Sequence, residues 1–112
     1  MQFSKEILKG ALDPVVLSIL DRYGECYGYE LVERIKEKTD GIFDLKEGTV
    51  YPLLYRMEDQ GLITSSYKSM GKGKNRRYYE ITDEGKKQLG NKKTEYGSFI
   101  KAMKRALSLS LV

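Results

Sequence analysis

Five cations, Lys68, Lys72, Lys74, Arg76 and Arg77, fall within residues 68–77, and no acidic residue interrupts them. Ammonium and guanidinium groups at this density can neutralise phosphates, and each counterion they displace from a polyanion adds salt-dependent affinity. A second set, Lys46, Thr49, Tyr51, Pro52, Tyr55 and Arg56, mixes cations, a hydroxyl and two phenols at spacings that the exposed side of one helix could present. Tyrosine joins a broad apolar ring to a hydroxyl that can donate to a phosphate oxygen. Tyr29 is a further candidate of this kind, with packing between helices as the alternative for it and for Tyr27. A solvated basic surface with no partner is the plain alternative for the whole cation set.

What is absent narrows the chemistry. The chain of 112 residues has no histidine, which removes Ser-His-Asp and Cys-His pairs, His-ligated zinc and the commonest general base. Cys26 is the only cysteine, so intramolecular disulfides and thiolate clusters are excluded, and it is expected to be an ordinary small residue near a turn. No catalytic residue, metal or cofactor is therefore expected. The amino terminus carries both signs of charge and no apolar run of signal length, and Val15–Leu20 is far too short to cross a bilayer. No membrane association and a reducing cytoplasm are the expectations.

The net charge of +4 is unevenly distributed. Residues 1–60 hold 8 Lys/Arg against 12 Asp/Glu, and residues 61–112 hold 12 against 4. A basic half on a small domain fits a nucleic-acid partner.

The elements that must carry these groups follow from periodicity. Ile7, Leu8, Ala11, Leu12, Val15, Val16, Ile19 and Leu20 recur at helical spacing between Ser4 and Tyr23. Asp13-Pro14 either starts a second helix there or kinks a single one, and Gly24 ends it. A helix is predicted over Gly28–Lys38, closed by Thr39-Asp40-Gly41, and Ile42–Leu45 reads as a very short strand. The next helix covers about Glu47 to Gln60, with Val50, Leu53, Leu54 and Met57 buried and Gly61 closing it. Pro52 suits its first turn if Thr49 is the cap and implies distortion if the helix begins nearer Glu47. Alternation over Leu62–Lys68 and Arg76–Thr82, around a glycine-rich basic tip, predicts a β-hairpin. Arg76 and Arg77 then point to opposite faces, so that one reaches a phosphate and the other pairs with a carboxylate such as Glu80 or Asp83.

Thr82 caps a last helix, with Leu89, Tyr96, Phe99, Ile100, Met103, Leu107 and Leu111 on its apolar stripe. Gly90 and Gly97 each weaken it by about 1 kcal/mol relative to alanine, so packing must hold it. It either folds back on its own domain or, the preferred reading, pairs across a two-fold axis together with Ile7 and Leu8. Burial of each such side chain is worth about 1.5–3 kcal/mol.

The predicted class is therefore mainly α with a small β-hairpin, in the order helix, helix, helix, hairpin, helix. That is the order of a winged helix-turn-helix at 1–82 followed by a C-terminal dimerisation helix at 83–112, in one compact unit. In this architecture the third helix enters the DNA major groove and the hairpin lies along the backbone. The expected DNA-binding residues are Tyr29, Lys46, Thr49, Tyr51, Pro52, Tyr55, Arg56, Lys72, Lys74, Arg76 and Arg77. The expected dimer interface is Ile7, Leu8, Leu89, Tyr96, Phe99, Ile100, Met103 and Leu107.

Leu8–Pro14, Tyr27-Gly28-Tyr29-Glu30-Leu31, Glu47–Leu54, Gly61-Leu62-Ile63, Arg76-Arg77-Tyr78-Tyr79 and Ile81–Gly85 occur in an order that resembles the PadR family of bacterial transcriptional regulators, in its short-tailed subgroup. The resemblance implies a homodimeric repressor of nearby genes, often released by a small lipophilic or aromatic inducer. Two recognition helices related by a two-fold axis make an inverted-repeat operator in double-stranded DNA the expectation. In some relatives a tryptophan on the last helix closes a drug-binding cleft between subunits. Tyr96 stands at that place here, and the chain has no tryptophan. The rival readings are a winged-helix protein-interaction module without specific DNA binding, supported by the acidic first half, and a small-molecule sensor or carrier. An enzyme is the weakest, since no convergent set of acids and bases is visible.

Overall fold

The computed structural model describes residues 2–110, so Leu111 lies outside the described residues. The elements run α1 (Lys5–Leu8), α2 (Leu12–Tyr23), β1 (Cys26–Tyr27), α3 (Gly28–Lys38), α4 (Glu47–Asp59), β2 (Ile63–Ser69), β3 (Asn75–Ile81) and α5 (Asp83–Ala106). The Asp13-Pro14 ambiguity resolves into two helices. Because α2 begins at Leu12, Asp13 lies in its first turn rather than at its cap, and Pro14 occupies a place where no intrahelical donor is needed.

Helix α3 opens with the Glu30 carboxylate accepting from the Tyr27 backbone N–H at 3.2 Å, which satisfies one orphan donor of the first turn. At its other end the Thr39 hydroxyl donates to the Ile35 carbonyl at 2.9 Å and accepts from the Phe43 N–H at 3.0 Å. That side-chain bond takes the donor a sheet ladder would have used. Residues 42–45, expected as a strand, accordingly form an irregular loop, with Phe43 edge-on to Phe3 at 5.5 Å and packed against the core. The third strand of the sheet is instead Cys26–Tyr27, which pairs antiparallel with β3 (Cys26 opposite Tyr79, Tyr27 opposite Tyr78). The sheet order is β1-β3-β2, with Ile63 opposite Ile81 and Ser69 opposite Asn75 at the two ends of the hairpin.

Helix α4 starts at Glu47 with Lys46 as its cap, so Pro52 falls beyond the first turn. Its ring removes the bond that an N–H there would make to the Gly48 carbonyl. Val16, Leu17, Leu20, Leu31, Ile35, Val50, Leu54, Met57, Ile63 and Tyr79 form the centre of the core, all fully buried. Buried apolar area of this kind is the main favourable term holding the four long elements together.

The Thr82 hydroxyl caps α5 by accepting from the Gly85 N–H at 3.0 Å and donates to the Gly61 carbonyl at 2.7 Å. A Cβ on Gly85 would lie 2.1 Å from the Leu62 carbonyl oxygen, so only glycine fits this approach. The start of α5 is thus seated on the turn that ends α4. Leu89, expected at a dimer interface, is 3% exposed and belongs to the chain's own core, because α5 packs along α2 over its first turns. Beyond Tyr96 the stripe is uncovered, with Phe99 at 55% and Leu107 at 57% exposure.

Candidate nucleic-acid interface

Helices α3 and α4 meet at Gly28, next to the pairing of β1 with β3. A Cβ there would lie 2.5 Å from the Tyr51 hydroxyl oxygen, so the missing side chain lets α4 settle on the start of α3. Tyr51 is consequently half-buried, and burial, followed by the Glu47 carboxylate and Tyr55, raises its pKa above the usual phenol value. Its expected role as a surface contact gives way largely to packing. Tyr55, one turn on and 6.0 Å from the Tyr51 ring, is half exposed. Lys46, Thr49, Pro52 and Arg56 are exposed on the side of α4 away from Val50, Leu54 and Met57.

Across the start of α3, Tyr29 is exposed and stacks on Tyr27 with ring centroids 6.4 Å apart. The Arg76 guanidinium lies 4.2 Å from the Tyr27 centroid, a cation–π contact that leaves its N–H groups available. Tyr29, Tyr27 and Arg76 thereby form one continuous patch from α3 to β3. Lys72 and Lys74 are exposed at the hairpin tip. Among the described residues, Lys46, Lys72, Lys74 and Arg76 form no ion pair with a carboxylate.

The other three candidate cations, Arg56, Arg77 and Lys68, are engaged. Arg56 makes a two-pronged pair with Asp13, at 2.7 and 2.8 Å, tying α4 to the start of α2 and raising the guanidinium pKa through that hydrogen bond. Arg77 donates to Glu58 at 2.6 Å and to the Ser65 hydroxyl at 3.0 Å. The expected partners Glu80 and Asp83 are not used. Arg77 lies on the sheet face that carries Tyr79 and Ser65 and meets α4, where Glu58 stands. Lys68 pairs with Glu25 on the other side of the hairpin. Sequence reasoning missed Glu25, Glu58 and Ser65 because they approach only through tertiary packing, and each looks locally like a surface residue.

A groove of about 400 Å³ runs between α2 and α5, lined by Pro14, Val15, Ser18, Phe43, Tyr96 and Ile100, with Lys38, Lys92 and Lys93 also on its walls. Tyr96 packs edge-on to Phe99 at 6.3 Å. Cys26 is fully buried and burial pushes its thiol pKa up, which keeps it an unreactive packing residue. Among the described residues no cluster of potential metal ligands occurs, and no helix is long and apolar enough to cross a membrane.

Three helices, a hairpin wing and an exposed face on the third long helix define a winged helix-turn-helix of the transcription-regulator type. Residues 16–91 match the model of the transcriptional regulator PadR-like family, and the chain belongs to that family. It is 32% identical over 74 residues to the negative transcriptional regulator PadR of Bacillus subtilis (strain 168), covering 66% of this chain and 40% of that one. It also resembles a transcriptional regulator from Clostridium thermocellum, with a TM-score of 0.82, 35% identity, and 93% of this chain and 97% of that chain covered. The structure of Bacillus subtilis PadR in complex with operator DNA superposes with a TM-score of 0.66 and 31% identity, over 72% of this chain and 45% of that chain. The matched region thus spans less than half the length of the Bacillus subtilis protein. Members of this family are transcription regulators, not enzymes.

Proposed function

We propose that the chain is a homodimeric repressor that binds an inverted-repeat operator and is released by a small lipophilic or aromatic ligand. The observation that carries the DNA reading is the set of cations with no ion pair among the described residues: Lys46 at the start of α4, Lys72 and Lys74 at the hairpin tip, and Arg76 in the Tyr29 patch. In this reading Thr49, Pro52 and Tyr55 face the major groove. Lys72, Lys74 and Arg76 neutralise flanking phosphates. Arg56, through its pair with Asp13, and Arg77, through Glu58, serve mainly to place α4 and the wing.

The distal half of α5 supplies the dimer, with Tyr96, Phe99, Ile100, Met103 and Leu107 meeting a second copy and Ile7 and Leu8 at the margin. Two recognition helices related by a two-fold axis would meet successive major grooves about 34–36 Å apart. The groove beside Tyr96 is the place for the ligand. Its walls come from α2 and α5, and α5 is seated on the end of α4 through Thr82 and Gly85. A ligand preferred in one dimer geometry would alter the spacing of the two recognition helices through that seat. The name of the Bacillus subtilis relative, a negative regulator, supports repression over activation.

Genomic fragments retained by the protein at about physiological salt should be enriched in one inverted repeat, since specific binding outlasts the phosphate contribution. Weak binding that vanishes as salt rises, with no enriched sequence, would move the reading to a protein-interaction module. The dimer is tested by Ile100→Glu with Met103→Glu, which should sediment as a folded monomer. A doubly substituted chain that remains dimeric would remove α5 from the interface.

A further inference from the structure

Glu58, Ser65 and Arg77 close a hydrogen-bonded ring between α4 and both strands of the wing. The Ser65 hydroxyl donates to Glu58 Oε2 at 2.5 Å and accepts from Arg77 Nε at 3.0 Å, while Arg77 Nη2 donates to Glu58 Oε1 at 2.6 Å. Both carboxylate oxygens, the hydroxyl and one edge of the guanidinium are therefore engaged. Three tyrosine rings surround the same guanidinium at 5.4–5.7 Å, Tyr55 from α4, Tyr67 from β2 and Tyr79 from β3. The ring sits where the wing leaves the core. Ile63 and Tyr79 below it are buried, and 66–76 above it are exposed.

We propose that Glu58 is a positioning residue for DNA binding: through Ser65 and Arg77 it fixes the attitude of the wing relative to α4 without touching DNA. A two-stranded ribbon is only marginally rigid alone, so the direction in which Lys72 and Lys74 point depends on what grips its base. Glu58 grips one face at Arg77 and Ser65. Glu25 grips Lys68, which alternation places on the other face. A partly buried guanidinium with a carboxylate, a hydroxyl and three aromatic rings around it holds geometry better than an exposed pair, because fewer rotamers compete with the bonded one. The inference rests on the DNA reading above, and its consequence differs from simple charge masking. Were Glu58 only a mask over Arg77, its removal would free a cation for phosphate, tighten binding and steepen the salt dependence by about one unit.

The test uses the full chain in two measurements, comparing wild type with Glu58→Gln and Ser65→Ala. In DNA-free protein, hydrogen exchange of the hairpin amides over 67–77 should quicken about tenfold or more, while those of Ile63 and Tyr79 hold their rates. With a labelled duplex carrying the selected inverted repeat, or sonicated genomic DNA at low salt, Glu58→Gln should bind about tenfold more weakly. In that background, adding Lys72→Ala and Lys74→Ala should cost less than about twofold further, because neighbours acting as one unit are not additive. A stabilising residue with no positioning role would leave the lysine effect at full size. Unchanged exchange, tighter binding or additive losses would each overturn the proposal. Ser65→Ala carries the same comparison should Glu58→Gln melt too low to assay. A wild-type chain that binds no duplex defeats the DNA reading and this use of the ring together. A wild type that binds, matched by Glu58→Gln, defeats the ring alone.

Discussion

At the base of the wing Tyr79 and Ile63 are fully buried, and Arg77 is bonded to Glu58 and Ser65. At the tip, a few residues along the same two strands, Lys72 and Lys74 are exposed and form no ion pair among the described residues. Both ends are basic in sequence, yet the structure uses their charge differently. Cations at the base, Arg77 and Lys68, are neutralised internally, whereas those at the tip form no such pair among the described residues and, in the proposed function, meet phosphates. Counting positive residues therefore overstates the charge the surface can offer a partner, and the carboxylates across the fold decide which cations remain available.

The largest expected effect lies at the base. Ile63→Ala should cost about 2–5 kcal/mol in denaturant unfolding, through lost burial and the cavity left behind. A smaller cost would mean that the base is looser than its burial implies. Next comes Tyr79, whose hydroxyl is buried with no hydrogen-bond partner among the described residues, and whose pKa burial pushes from 10.0 up to about 12. The folded value lies above the unfolded one, so the neutral phenol's contribution is intact below pH 10 and is lost as pH rises toward 12. At most about 2–3 kcal/mol is lost in that window. Tyr79→Phe should abolish this alkaline loss, read as the difference in unfolding free energy between variant and wild type across pH 9–12. At neutral pH the same variant should gain about 1 kcal/mol by deleting an unsatisfied buried hydroxyl. The smallest effect on stability belongs to the tip, where Lys72→Ala with Lys74→Ala should change unfolding by less than about 0.5 kcal/mol.

Most of the fold was legible because its signals are local. The bounds of α3, the Thr82 cap and the glycine closures after α2 and α4 follow from side chains within a turn of the element they start or stop. The strand at Cys26–Tyr27 was not legible, since two residues have no periodicity and gain strand character only by meeting Tyr78 and Tyr79. Leu89 and Phe99 teach the same point at the site. Both sit on one apolar stripe, yet Leu89 is covered by its own chain and Phe99 is not, and spacing along a helix carries no record of which neighbour provides the cover. Arg56 and Arg77 looked as available as Arg76 because Asp13, Glu58 and Ser65 come from elements distant in sequence.

The most direct test of the account is the salt dependence of binding to the selected inverted repeat, for wild type and for Lys72→Ala with Lys74→Ala and Arg76→Ala. Each phosphate contact contributes about 0.9 to the slope of log affinity against log salt, so the triple variant should flatten it by about 2.7 and weaken binding at every sequence. Parallel slopes for the two proteins would contradict the assignment of the tip cations to DNA and remove the wing from the interface.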